Sequence, residues 1–397
     1  MPEIRPALAS TGTLPQLVER LARRLESVSP RPERFAVETV DQLLALGEEF
    51  RASDLHLVPL EQHRLRVLYR IDGILQHAGE LLHSGPNVIA RLKVLAELLT
   101  YQADTPQEGR IRSDRGDLER RVSTFPTVHG EKAVVRLFVG SGQYLRLEDL
   151  GYPSDVRDWL ATALESPQGL LAVCGPAGSG KTTTLYAALR YLTRSGQPRS
   201  ICTLEDPVEA LVPGTAQSAM QPHLGFDYAT ALKSLMRQDP EVIMVGEIRD
   251  RETAAISFQA SLTGHLVLST FHAGRSVDAV SRLLDMGIEP YVVRSGLLGI
   301  VTQRLLRRRC SCSGETGSSG CPQCGGSGYF GRLLVAETFS PRAAEVSAGI
   351  LGKVEADELE RRAMAAGLRT LRARADDAVR AGQTTPEEVW RVLGSPG

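Results

Sequence analysis

The chemistry of this chain starts at Leu170 to Arg190, LLAVCGPAGSGKTTTLYAALR. A short apolar run breaks at a glycine-rich loop, and a helical pattern of Leu and Ala follows. Gly175, Pro176, Ala177, Gly178, Ser179, Gly180, Lys181 and Thr182, with Thr183 behind them, fit the phosphate-loop spacing of Gly, four residues, then Gly-Lys-Thr. The glycines let successive backbone N–H groups turn inward on an anion. A helix opening near Lys181 directs its positive end to the same point. Lys181 can then reach the β and γ phosphates of a nucleotide, and the Thr182 hydroxyl can ligate Mg²⁺.

Further candidates stand at the ends of other apolar runs. Ile201 to Leu204 ends in Glu205-Asp206-Pro207, and Val242 to Val245 ends in Gly246-Glu247. In a parallel sheet the carboxyl ends of the strands share one rim, where a phosphate loop also lies. A carboxylate there can orient or deprotonate the water that attacks a γ phosphate. The second run resembles a Walker B strand, whose acid holds Mg²⁺ directly or through water. Glutamate in place of the commoner aspartate favours contact through water. Arg237 before this strand and Arg249 after it read equally as site cations or as solvated arginines. His265 and His272 bracket a fourth run, Leu266 to Thr270. Each is either a structural histidine or a donor to a terminal phosphate oxygen. Cys310, Cys312, Cys321 and Cys324 crowd together with metal-like spacing, while Cys174 and Cys202 fall in expected buried strands.

These residues need elements to hold them. Apolar strands at 170–174, 200–204, 242–245 and 266–270 alternate with helices, which predicts a mostly parallel sheet covered on both faces. Residues 35–140 read as a compact α+β module of short strands and two helices. Residues 1–34 read as a mobile arm carrying one helix, Leu14 to Leu25, and 141–166 as a linker. The P-loop domain is expected over 167–397, with the cysteine insert at 310–324 and a helical tail at 341–397. A length of 397 residues suits two domains and a tail. A net charge of −1 argues against constitutive nucleic-acid binding, which leaves a basic footprint. No run of about 18 apolar residues occurs and the amino terminus lacks a signal pattern, so the chain is expected to be cytoplasmic.

The phosphate loop, Thr203-Leu204-Glu205-Asp206-Pro207-Val208-Glu209, Arg237-Gln238-Asp239-Pro240, Gly246-Glu247-Ile248-Arg249-Asp250 and Thr263-Gly264-His265 with His272 occur in this order. Together they resemble the bacterial secretion ATPases of type II secretion and type IV pilus assembly. In the first module, Ala52 to Leu57, Arg70 to Gly73, Pro106 to Arg110, Arg121 to Pro126 and His129 to Lys132 extend the resemblance. It spans about residue 50 to the end.

The resemblance implies an α/β fold: a RecA-like P-loop motor domain, a smaller PAS-like α+β domain and a helical carboxyl-terminal tail. It implies a homo-hexamer that hydrolyses ATP with Mg²⁺ and drives pseudopilus or pilus assembly through an inner-membrane platform protein. The chain would be cytoplasmic and peripheral to that membrane. By the same analogy Glu205 is the catalytic carboxylate and Glu247 the Walker B acid, sharing Mg²⁺ with Thr182. His272 contacts the γ phosphate, and Lys181 and Arg237 complete the set. Arg70, Arg110 and Arg121 are unranked candidates to reach a neighbouring subunit's nucleotide.

Assembly motors of this family usually carry two Cys-x-x-Cys pairs that bind zinc. Here the first pair, Cys310-Ser311-Cys312, is one residue tighter. Four thiolates can still form a tetrahedral site, and the competing disulfide reading is disfavoured by a reducing compartment. Residues 1–34 are too short for the docking domain of larger members. DNA-transfer, competence-related or pilus-retraction ATPases are the alternatives, against which the near-neutral charge and the cysteine insert argue. A nucleotide-binding scaffold without turnover would show a damaged set, yet Lys181, Thr182, Glu205 and Glu247 are all present.

Overall fold

The computed structural model describes residues 4–6, 14–29, 31–111, 120–137, 146–194, 196, 198–312 and 321–395. Parts of the 1–34 arm, the 141–166 linker and the 310–324 insert therefore lie outside the described residues. The chain forms two compact units, residues 1–140 with 307–331, and 141–306 with 332–397. The sequence division put the cysteine segment in the P-loop domain, whereas its packing places it in the first unit.

In the first unit, β1 (Ile4–Pro6), α1 (Pro15–Glu26), α2 (Pro32–Glu49), β2 (Asp54–Pro59), β3 (Leu65–Ile71), β4 (Ile74–Leu81), α3 (Gly85–Leu95), β5 (Gln107–Ile111), β6 (Arg120–Thr127) and β7 (Gly130–Arg136) follow in order. The strands form one sheet, β1-β4-β3-β2-β7-β6-β5, with antiparallel pairings throughout. Alternation along the strands sorts its faces. Leu55, Leu57, Val67 and Tyr69 are buried in one cluster with Leu17, Leu21 and Leu25 of α1 and Leu43 and Leu46 of α2. The α1 leucines recur at helical spacing, so this part of the expected mobile arm is a packed helix. Tyr69 carries its hydroxyl into the core and donates to the Leu43 carbonyl at 2.8 Å.

The second unit holds α4 (Ser154–Leu164), β8 (Gly169–Cys174), α5 (Lys181–Arg194), β9 (Ile201–Glu205), β10 (Ala216–Ala219), α6 (Tyr228–Leu235), β11 (Val242–Val245), α7 (Arg251–Leu262), β12 (Leu266–Phe271), α8 (Ser276–Asp285) and α9 (Pro290–Gly296). Strands β13 (Leu297–Arg309) and β14 (Tyr329–Phe339) follow, then α10 (Ala344–Leu351), α11 (Ala356–Ala365), α12 (Leu371–Arg380) and α13 (Pro386–Leu393). The sheet order is β10-β9-β11-β12-β8-β13-β14. Every pairing from β10 across to β13 is parallel. Both faces are covered, so β8, β9, β11 and β12 are buried along their whole length. Strands β10, β13 and β14 extend the sheet beyond the four expected ones. Helix α4 lies where a linker was expected. Its Val156, Leu160 and Leu164 pack with Leu185 and Leu189 of α5.

Lys93 shows why a charge can sit inside the first unit. Its side chain is fully buried, and its ammonium donates to Glu131 Oε1 and to the Gln102 carbonyl, both at 2.7 Å. Removing one partner of a buried pair leaves an uncompensated charge, at a cost of about 3–5 kcal/mol. Glu131→Ala is therefore expected to destabilise the first unit by about that much in urea unfolding. Lys93→Met combined with Glu131→Leu should recover most of the loss. Equal stability of Glu131→Ala and wild type would refute the role of this pair.

Candidate nucleotide site

The loop between β8 and α5 needs its glycines for steric reasons. A Cβ on Gly175 would lie 2.5 Å from Ser179 Oγ and 2.7 Å from the Gln303 carbonyl, and φ there is 150°. Gly180 stands at φ 90°, where other residues are strained. Lys181 is nearly buried, and its ammonium donates to the carbonyls of Gly175 and Pro176, each at 2.9 Å. Burial holds its pKa below the usual lysine value, with the nearby Cys174 and Glu247 opposing that shift. Thr182 is exposed and Thr183 half-buried at the start of α5, while the Ser179 hydroxyl is buried with no hydrogen-bond partner among the described residues. A tight backbone cradle, an orphaned hydroxyl and an adjacent lysine form a donor set that fits phosphate.

Gln303 of β13 buttresses this loop from behind. Its Nε2 donates to the Ser179 carbonyl at 2.7 Å. Its Oε1 accepts from the hydroxyls of Tyr152 and Thr184. Neither Gln303 nor Tyr152 belongs to a recognisable motif, so the sequence reading missed both.

On the rim, β9 ends at Glu205, which is buried. Its carboxylate accepts from the Tyr186 hydroxyl, from Thr203 Oγ1 at 2.6 Å and from Gln217 Nε2 at 3.0 Å. Three donors orient it and leave about one of its four lone-pair positions for another. Glu247 is paired with Arg249, and His272 Nε2 stands 3.6 Å from its Oε2. Burial and the Lys181 charge keep the His272 pKa below the usual histidine value, against the opposing pull of Glu247. These influences favour the neutral imidazole, which keeps one N–H to give. Gly246 leaves room for its neighbours here, since a Cβ on it would lie 2.8 Å from the Tyr228 hydroxyl and 3.3 Å from the Leu204 carbonyl.

Two sequence candidates lie elsewhere. His265 precedes β12, where its ring bonds to the Ala260 carbonyl at 3.0 Å. With about 3.3 Å per strand residue, it sits roughly 20 Å from the rim that His272 occupies. Arg237 is exposed after α6 and donates to Ser234 Oγ at 3.4 Å. No contact among the described residues joins it to Lys181, Glu205 or Glu247.

Arg70, Arg110 and Arg121 belong to the first unit. Strand register puts Arg70 opposite Asp54, Asp54 opposite Arg136, Arg136 opposite Arg121, and Arg121 opposite Arg110. The three sequence candidates thus share one cross-strand row with Arg136, which the sequence reading did not single out. The two oxygens of Asp54 face Arg136 Nε at 3.3 Å and Arg70 Nε at 3.4 Å. Like charges directly opposite one another in a sheet are destabilising. Such a row suits recognition of an anion.

The four cysteines converge as well. Cys310 and Cys321 sulfurs are 3.8 Å apart, those of Cys312 and Cys324 are 3.6 Å apart, and all four lie within 4.8 Å of one another. Sulfurs about 2.3 Å from a tetrahedral ion stand about 3.8 Å from each other, so the set fits such an ion in spite of the tighter first pair. Backbone N–H groups of Cys324 and Gln323 bring the Cys321 thiol down to about 6, favouring the thiolate that metal binding needs.

The parallel sheet, phosphate loop and acidic rim define a P-loop nucleotide-binding protein. The profile of the family described as "Type II/IV secretion system protein" matches residues 33–391, and the chain belongs to that family. It is 42% identical over 396 residues to the type II secretion system protein HxcR of Pseudomonas aeruginosa, covering 97% of this chain and 83% of that one. It is 36% identical over 405 residues to the type II secretion system ATPase E of Vibrio cholerae, covering 95% and 79%. The type IV pilus assembly ATPase PilB of Myxococcus xanthus is 38% identical over 382 residues, covering 89% and 67%. Among solved structures, the pilus retraction motor PilT with bound ADP matches with a TM-score of 0.64 at 24% identity, over 89% of this chain and 97% of that one. The ATPase DotB of Legionella pneumophila matches at 0.70 and 19% identity, over 92% and 98%. At these identities the structures speak for the α/β ATPase fold alone. No described helix is long and apolar enough to cross a membrane.

The four-thiol geometry has a direct readout. Cobalt(II) added to metal-free protein should bind at about one equivalent and give the intense visible bands of tetrahedral thiolate coordination. Cys312→Ser should weaken or abolish them, and an unchanged spectrum in that variant would remove Cys312 from the set.

Proposed function

We propose that this chain is a Mg²⁺-dependent ATPase motor that works as a homo-hexamer and drives assembly of a type II secretion pseudopilus or type IV pilus. The motor would act through an inner-membrane platform protein, from the cytoplasmic side. The observation that carries this reading is the convergence of Lys181, Glu247 and His272 beside the phosphate loop, in a chain whose named relatives include secretion and pilus-assembly ATPases.

In this reading the loop amides of residues 175–182 and the Lys181 ammonium hold the nucleotide's phosphates. Thr182 and Glu247 would hold Mg²⁺, which offsets charge on the β and γ oxygens. Glu205 uses its remaining acceptor position to orient the attacking water, and Tyr186, Thr203 and Gln217 keep its carboxylate in place. Neutral His272 donates to a γ-phosphate oxygen. Arg237 has no described contact to Lys181, Glu205 or Glu247, and no role is assigned to it in this reading. Zinc is the ion proposed for Cys310, Cys312, Cys321 and Cys324. It would be structural, because four protein ligands leave no open position.

Lys181→Ala is expected to abolish turnover. Glu205→Gln and Glu247→Gln should each lower kcat at least about 100-fold, with ATP affinity less affected for Glu205→Gln. Wild-type kcat in Glu205→Gln with a dead Glu247→Gln would move the water-orienting role to Glu247.

The arginine row supports donation in trans, since a neighbouring subunit's γ phosphate is an anion of the required kind. Arg70, Arg110, Arg121 and Arg136 are the candidates, and at least one of them changed to Ala should reduce kcat with nucleotide affinity nearly intact. Mixing inactive Lys181→Ala chains with inactive arginine-to-Ala chains should restore part of the activity, because some interfaces then pair an intact loop with an intact arginine. No recovery in rings proven to be mixed would rule this arrangement out.

A further inference from the structure

Tyr228 opens α6, where the Asp227 side chain caps the helix by accepting from the Thr230 amide at 2.8 Å. The tyrosine is half-buried, and its ring packs against the apolar cluster that includes Leu204, Val245 and Ile248. The cap and the packed ring together fix where the hydroxyl comes out. It comes out on the rim. A Cβ on Gly246 would lie 2.8 Å from the hydroxyl oxygen, 3.3 Å from the Leu204 carbonyl and 3.6 Å from Glu205 Cα. The hydroxyl therefore stands at the ends of β9 and β11, the two strands that deliver Glu205 and Glu247.

Two other tyrosines near the site have their hydroxyls bound. Tyr186 donates to Glu205, and the Tyr152 hydroxyl is held by Thr184 and Gln303. The Tyr228 hydroxyl makes no hydrogen bond among the described residues and keeps contact with solvent. Phenylalanine would serve the packing equally well, so the oxygen needs a separate account. Burial and the charges of Glu247, Asp206 and Glu205 push the phenol pKa up, against the pull of Arg249. The group stays protonated, with one O–H and with lone pairs able to accept. Carboxylates can only accept, so they draw the phenol proton to their side and leave a lone pair for some other donor. An attacking water has to place both of its hydrogens and keep a lone pair for phosphorus. Glu205 offers about one free acceptor position, which leaves the second hydrogen without a place.

We propose that Tyr228 is a further catalytic residue, whose hydroxyl oxygen accepts one hydrogen of the attacking water while Glu205 accepts the other. The inference rests on the ATPase reading and on the water-orienting role of Glu205. As the water oxygen bonds to the γ phosphorus, the bond from phosphorus to the β–γ bridging oxygen breaks. Its electron pair leaves with ADP. The proton beside Glu205 moves to that carboxylate and is then released to solvent. The proton beside Tyr228 stays on the phosphate product, and the phenol keeps its own.

Tyr228→Phe removes one oxygen and keeps the packed ring. The full chain is assayed for ATP hydrolysis, ATP binding and urea unfolding, with Glu205→Gln and the double variant alongside. Tyr228→Phe should lower kcat at least about tenfold, the rate equivalent of one hydrogen bond. Its ATP affinity should stay within about twofold of wild type, because the bond is made to the water and not to the nucleotide. Its urea midpoint should be unchanged. The double variant should be within about twofold of Glu205→Gln alone, since both residues act on one water. The proposal is overturned by wild-type kcat in Tyr228→Phe when Glu205→Gln is slow, by a loss of ATP affinity that matches the loss of kcat, or by losses that multiply in the double variant. Wild-type kcat in Glu205→Gln would instead overturn the reading of Glu205 on which the shared water rests.

Discussion

Everything at the nucleotide site depends on the register of four parallel strands. Cys174 pairs with Phe271, and Val245 pairs with both Leu204 and Ser269. Glu205 and Gly246, which follow Leu204 and Val245, therefore emerge at one level, and Gly175 and His272 two residues further along, about 7 Å away. A slip of one residue in any strand would turn its side chains to the opposite face. The register is fixed because the strands are buried on both faces, where a slip would exchange whole sets of packed residues. Chemistry on the rim is thus inherited from packing far below it.

The loop itself is held from two sides. Gly175 is dictated by the loop's own serine and by a carbonyl of β13 at Gln303, which a Cβ there would meet. Gln303 also gathers Tyr152 and Thr184, so one amide ties the loop to β13 and to α5. Phosphate-binding amides aimed in advance have less to reorganise when the ligand arrives, which is the physical value of such a buttress.

The difference between what the sequence disclosed and what it hid follows from range. The phosphate loop, Glu205 and Glu247 were legible because their chemistry sits in short segments whose neighbours in sequence are their neighbours in space. Gln303 lies 124 positions from the serine it supports and belongs to a strand that ends in arginines, which masked its apolar start. Helix α4 was masked by Gly151 and Pro153 just before it. Arg237 stands apart from Lys181, Glu205 and Glu247 among the described contacts, bonded only to its own helix end at Ser234. Of the two bracketing histidines, His272 stands at the rim beside Glu247 while His265 lies at the far end of β12. The Cys310–Cys312 pair is one residue tighter than the usual one, and a tetrahedron constrains sulfur positions while leaving the backbone between them free to differ.

The arginine row of the first unit could not be read from any one segment, because its four members come from four strands and only register aligns them. Asp54 is the one carboxylate in the row, and it sits between Arg70 and Arg136 with an oxygen turned to each. Ser53 donates to the same carboxylate at 2.8 Å, which steadies it. At the other end, Arg136, Arg121 and Arg110 follow one another with no acid at the intervening register positions. A sheet selected for stability alone would alternate charges there, since opposite charges across strands stabilise and like charges do the reverse. Register thus gathers four guanidinium-bearing residues from four strands at one level of the sheet, where one anion can meet more than one of them.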